Sequence, residues 1–229
     1  MLESSVSWLA FCVSGQLVKT IVHFFPSAGA MGAPYQALCS LTLLRSDFEP
    51  QTVMAEGARL GQPDGFRLDL AFPDFADSQP AALLIELSTS QTRLNLASSD
   101  CIIEFVSQFS TIKYRPKKLI NSAVDIFPIL ELNDSELVTS LITVNVMDAA
   151  VRFPLQTLAE KNDPEISNFR ELATLEIPAH CAKEFKLADF KTQQKPDCGV
   201  YIRSEYVGLA HYAIYRNRKT QQIVSVVRL

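Results

Sequence analysis

The chain has 229 residues, 48% of them apolar, and 21 lysines and arginines stand against 25 aspartates and glutamates, a formal net charge of −4. This balance excludes a disordered polyelectrolyte and argues against general nucleic-acid binding, which needs a basic face. The length fits one large domain or two of ordinary size, and no apolar run reaches the roughly 18 residues that a membrane-spanning helix needs.

The N-terminal stretch Met1-Leu2-Glu3-Ser4-Ser5 carries no basic leader, and the apolar run from Val6 to Val13 is short. It is read as a β-strand, not a secretory signal, and the cytoplasm is the expected compartment. Cys12, Cys39, Cys101, Cys181 and Cys198 are odd in number and not closely paired. They are read as buried, reduced thiols, with a Cys181–Cys198 disulfide as the alternative.

Ser7 to Val13 and Leu17 to Phe25 form a first pair of apolar runs, and Ser14-Gly15-Gln16 between them reads as a hairpin break. Pro26 to Pro34 is a small-residue loop. Tyr35 to Leu44 is a long strand candidate, closed by Ser46 to Pro50. Glu56 to Gly65 holds three glycines and reads as the most flexible part of this half. Phe72 to Pro80 is too rich in proline and aspartate for a strand interior. Ala82 to Leu87, Cys101 to Val106 and Thr111 to Leu119 are strands, and a short edge strand is expected within Ser88 to Ser99.

Leu119 to Asp134 is read as the connection between halves, and Ser135 to Val146 as the start of the second. Leu155 to Arg170 is the best helix candidate, limited by Asp163-Pro164 to a turn or two. Leu172 to Ile177 is a strand stopped by Pro178. In the last stretch, Val200 to Ile202 is a strand, and Leu209 to Tyr215 is apolar on both faces, as in a covered central strand. Arg216 to Thr220 is a hairpin loop into Ile223 to Leu229.

Several of these segments rhyme in order. Ala82–Leu87 corresponds to Gly199–Arg203, Cys101–Val106 to Leu209–Tyr215, Leu68–Phe75 to Phe185–Phe190, and Ala37–Leu44 to Val138–Val146. The expectation is an all-β chain of two tandem antiparallel sandwiches, residues 1–122 and 123–229, related by internal duplication. Two unrelated antiparallel domains are the alternative.

The motifs of phosphate loops, dinucleotide folds, zinc sites and serine elbows are missing from the sequence, so neither a metal nor a cofactor is expected, and the balance leans away from an enzyme. Of the three histidines, His180 neighbours Cys181 and would point to the opposite strand face. His211 could meet Cys198, but reads more simply as a partly buried structural histidine. The acidic residues Glu56, Asp69, Asp74 and Asp77 match no calcium-loop spacing.

Tyr201, Arg203, His211, Tyr215 and Arg216 form the candidate binding set, because tyrosine and arginine offer apolar area with a polar tip. Alternation lets Tyr201 share a face with Arg203, and His211 with Tyr215. Ordinary cross-strand packing is the other reading. Lys113, Arg115, Lys117 and Lys118 are a candidate basic patch, or charges that protect an exposed edge. The functional expectation is a non-catalytic module that binds a protein or glycan or pairs with itself. The alternative is a small-ligand binder or enzyme with a site where the halves meet.

Overall fold

The structure, a computed structural model, describes residues 4–15, 18–25, 36–46, 48–59, 65–75, 79–89, 100–119, 125–129, 136–158, 169–190, 200–204 and 206–229. The chain is all-β, with every described ladder antiparallel. Among the described residues helix is confined to two turns, α1 (Leu68–Ala71) and a 3-10 turn (Leu187–Phe190).

Up to residue 122 the strands are β1 (Ser4–Cys12), β2 (Val18–Phe25), β3 (Gln36–Arg45), β4 (Phe48–Arg59), β5 (Phe66–Arg67), β6 (Ala81–Thr89), β7 (Asp100–Ser107), β8 (Thr111–Tyr114) and β9 (Lys117–Lys118). They form two sheets, β4-β3-β6-β1-β9 and β5-β2-β7-β8. The later strands are β10 (Asp125–Ile129), β11 (Leu137–Asn145), β12 (Val151–Leu158), β13 (Phe169–Ile177), β14 (Cys181–Lys186), β15 (Val200–Ser204), β16 (Leu209–Asn217) and β17 (Ile223–Arg228). They form β10-β15-β12-β13 and β14-β11-β16-β17.

No described ladder joins a strand before residue 122 to one after it. The two strand orders run in parallel. Read from its far edge, β13-β12-β15-β10 has the connectivity of β4-β3-β6-β1, and β14-β11-β16-β17 has that of β5-β2-β7-β8. A short helical turn follows the fifth strand of each set, at Leu68 and at Leu187.

Alternation decides what each sheet buries. In β1, Trp8 and Phe11 are three apart and point to opposite faces. Trp8 meets Phe24 of β2 at 6.1 Å, and Phe11 meets Tyr212 of β16 at 5.3 Å. The sheet β14-β11-β16-β17 is also covered on both sides. Leu141, Ala213 and Tyr215 pack with Phe153, Leu155 and Ile202, while Ile142, Tyr212 and Ile214 join the core built on Trp8, Phe11 and Leu83. The expected central strand Leu209–Tyr215 is therefore covered on both faces, every one of its side chains buried.

Four expectations change. The runs flanking Ser14-Gly15 are not a hairpin: β1 pairs with β6 and β9, β2 with β5 and β7. The turn carries the chain from one sheet to the other, and the Thr20 hydroxyl holds the corner by donating to the Val13 carbonyl at 2.5 Å. The segment Leu155–Leu158 is strand, not helix, because Val151, Phe153 and Leu155 alternate inward. Residues 56–59 are the end of β4, and Phe48–Pro50 its start. Ala37–Leu44 lies in β3 and most of Val138–Val146 in β11, and by strand order β3 matches β12 while β11 matches β2. Both are long apolar runs, and length and composition alone do not tell a strand from its neighbour across a core. The edge strand expected within Ser88–Ser99 lies almost wholly outside the described residues, as does Cys198.

Candidate functional site: the open face of the C-terminal sheet

Among the described residues, the sheet β10-β15-β12-β13 buries its side chains on one side. Val151, Phe153, Leu155, Val200 and Ile202 point into the core, so alternation sends Arg152, Pro154, Gln156, Tyr201 and Arg203 to the other side. Pro128 on β10 lies opposite Tyr201 and is exposed.

Pro154 shapes this face. A proline gives no N–H to a ladder. The β12–β15 ladder pairs Thr157 with Val200, Gln156 with Tyr201 and Leu155 with Ile202, and ends there. Beyond Leu155 the strands part, and a groove of about 170 Å³ opens, lined by Arg152, Phe153, Pro154, Gln156, Arg203 and Tyr206. Tyr201 flanks it beside Gln156, its ring edge-on to Phe169 at 5.3 Å. Arg152 is anchored by Glu176 across the β12–β13 ladder, Nε to Oε2 at 2.6 Å. The face thus combines two guanidinium groups, two phenols and two prolines, with Glu176 held on Arg152, and arginine and tyrosine are enriched in binding surfaces.

The structure separates the candidate binding residues. Tyr201 and Arg203 share the open face. His211 and Tyr215 lie on the inward face of β16 and are buried. His211 Nδ1 is 3.0 Å from Thr143 Oγ1, and its ring stands edge-on to Phe153 at 5.0 Å. Burial, reinforced by the charge of Lys117, lowers its pKa to about 3, so it is neutral in the fold. Arg216 faces the other way and forks onto Glu184, with Nε at 3.1 Å and Nη2 at 2.9 Å from the two carboxylate oxygens.

The four basic residues near residue 115 also diverge. Lys113 pairs with Glu104 at 3.3 Å, and Arg115 reaches Asp100 at 3.8 Å. Lys117 turns inward, and its Nζ donates to the Leu209 carbonyl at 2.7 Å. Lys118 lies over the Trp8 ring at 5.8 Å.

Where the halves meet, aromatic rings fill the space. Phe11, Phe105, Tyr114 and Tyr212 pack with centroids 5.1–5.6 Å apart, and all four are buried. The Tyr114 hydroxyl donates to the Phe11 carbonyl and accepts from the Phe11 amide. His23 sits elsewhere, on the outward face of β2, with Nε2 at 2.5 Å from Glu104 Oε2. His180 reaches Asp148 at 2.8 Å at a loop end. No group of three histidine, cysteine or acidic side chains is placed to hold a metal among the described residues.

Of the groove residues, Arg152 and Pro154 fall between the segments assigned from the sequence, Ser135–Val146 and Leu155–Arg170, and Gln156 falls within the helix candidate. The signal was present: in Val151-Arg152-Phe153-Pro154-Leu155-Gln156 every second residue is strongly apolar. Compared with known proteins, the chain matches no family model, no curated protein and no solved structure.

Proposed function

We propose that the chain is a non-catalytic interaction module, two tandem β-sandwiches of residues 1–122 and 123–229 that arose by duplication and bind a partner through the open face of β10-β15-β12-β13. The parallel strand orders of the two halves support the duplication. One observation carries the binding reading. In the first half, the sheet β4-β3-β6-β1-β9 buries residues on both faces, and the second half covers one of them. The corresponding sheet of the second half turns arginines, tyrosines and prolines outward around a groove. A face made of such residues and shaped by a ladder break is suited to recognition.

The test is a binding screen of the full chain against arrayed peptides and oligosaccharides, run beside Tyr201→Ala and Arg203→Ala. Both positions are surface ones, so the variants keep the melting temperature within a few degrees. Ligands lost by both variants support the reading. Ligands retained by both place recognition elsewhere and overturn it.

A further inference from the structure

We infer that the chain stacks head to tail on copies of itself: the open face of β10-β15-β12-β13 in one copy docks on the outward face of β5-β2-β7-β8 in the next. This rests on the duplication and open-face readings above, and it names a second copy of the chain as the partner. The pattern for the contact lies inside the chain. There, β14 lies against β3 and β6, β11 against β1 and β6, and β16 against β1. Leu9, Phe11 and Ala82 of the first half share one buried core with Ile142, Tyr212 and Ile214 of the second. A face of β4-β3-β6-β1-β9 is thus covered by a face of β14-β11-β16-β17.

By strand order, the counterparts of these two sheets are β13-β12-β15-β10 and β5-β2-β7-β8. Each half therefore carries one sheet of each kind. One of each is used where the halves meet. Among the described residues, the other of each kind turns a face outward. Applying the internal contact once more sets the open face of one copy on the β2–β7 face of another.

Stacked repeats continue unless their ends are capped, and a cap is polar. Both faces here keep apolar groups. Val22, Phe24, Ile103 and Phe105 point into the core, so alternation turns Ile21, Phe25, Ile102 and Val106 outward. The first, third and fourth of these are half-buried, and Phe25 is 44% exposed. On the open face, Tyr206 is also 44% exposed beside Pro154, and Pro128 is exposed opposite Tyr201. Polar side chains stand among them, so the contact is weaker than the internal one and depends on concentration. It joins unlike faces, so growth does not stop at two copies.

The experiment is sedimentation velocity of the full chain over a concentration series. The wild type passes beyond dimer as concentration rises. Tyr201→Ala/Arg203→Ala on one face and Phe25→Glu on the other each weaken association at least about tenfold, because each spoils one side of every contact. Mixed in equal amounts, the two variants form dimers and nothing larger: the intact open face of one meets the intact β2–β7 face of the other. Where circular dichroism shows that Phe25→Glu has lost the fold, Lys113→Glu, exposed on the same face, takes its place.

A wild type that stays monomeric, variants that associate like the wild type, or a mixture that stays monomeric overturns the inference. A dimer abolished by Tyr201→Ala/Arg203→Ala but untouched by the β2–β7 variants is a two-fold pairing, which overturns head-to-tail stacking and keeps the open face as the binding surface. Peptides or oligosaccharides lost by Tyr201→Ala and Arg203→Ala in a chain that stays monomeric likewise overturn the stacking alone.

Discussion

The Tyr212 hydroxyl donates to the Leu9 carbonyl at 2.5 Å and accepts from the Lys117 amide at 3.0 Å, so one phenol joins β16 to β1 and β9 across 203 residues of sequence. Its ring meets Phe11 at 5.3 Å and Tyr114 at 5.2 Å. The two sets of strands share no ladder among the described residues, and this cluster joins them. Lys117 Nζ on Leu209 O and Arg228 Nη1 on Pro116 O add two more bonds across the same seam.

Removing only the hydroxyl isolates that link. Tyr212→Phe leaves the Leu9 carbonyl and the Lys117 amide without their bonds to this phenol, and the unfolding free energy falls by about 1–3 kcal/mol. Because the rings still pack, unfolding remains a single transition. Urea denaturation followed by Trp8 fluorescence and by far-UV circular dichroism checks both points: the curves stay coincident and the midpoint drops.

Gly65 has a φ of +60°, and a Cβ there would lie 2.7 Å from His23 Nδ1 and from Ile21 Cγ2. Gly65→Ala therefore combines a left-handed backbone with a clash against a strand face, and costs about 1–3 kcal/mol. Gly208→Ala meets mainly the Met147 side chain, whose Cγ would lie at 2.5 Å. Methionine can turn aside, so this variant loses less. The order of the two melting temperatures is the readout.

His211 gives a defined pH response. Its folded pKa is near 3 against 6.5 for an open histidine, so between these values the unfolded chain binds the extra proton. Its contribution is intact above pH 6.5 and lost as pH falls toward 3, with a slope of up to about 1.4 kcal/mol per pH unit. Carboxylates titrate in the lower part of this range, so the comparison is between the wild type and His211→Gln. The variant shows a flatter fall in stability from pH 6.5 to pH 4.5.

Burial pushes the Cys39 thiol up to about 12 and raises those of Cys12 and Cys101 as well. The thiolate is the reactive form, so none of the three reacts with iodoacetamide at pH 8 in the folded chain. All three react in urea. Peptide mass spectrometry after a short pulse separates the two states.

The sequence disclosed most of the fold and only part of the site, for a physical reason. A strand leaves a period of two on its residues, and a covered strand leaves a run. Leu209–Tyr215, Cys101–Val106 and the hairpin through Arg216–Thr220 were legible on those grounds. Which sheet a strand joins leaves no local mark, so the β1–β2 corner passed for a hairpin. Tyr201 and Arg203 were paired correctly on one face because they are two apart on one strand. Their neighbours Arg152 and Gln156 lie 45 to 51 residues away in sequence, and only the register of β12 with β15 brings them together. The inward course of Lys117 was hidden likewise, since its partner Leu209 is 92 residues distant.

The most direct measurement is amide hydrogen exchange of the full chain with and without a ligand selected on the array. Protection gained over residues 152–156 and 201–206, with the seam at 114–119 and 209–212 unchanged, is the expected result. Protection gained at the seam or on the outward face of β2 and β7, with the groove strands unchanged, would contradict recognition through the open face.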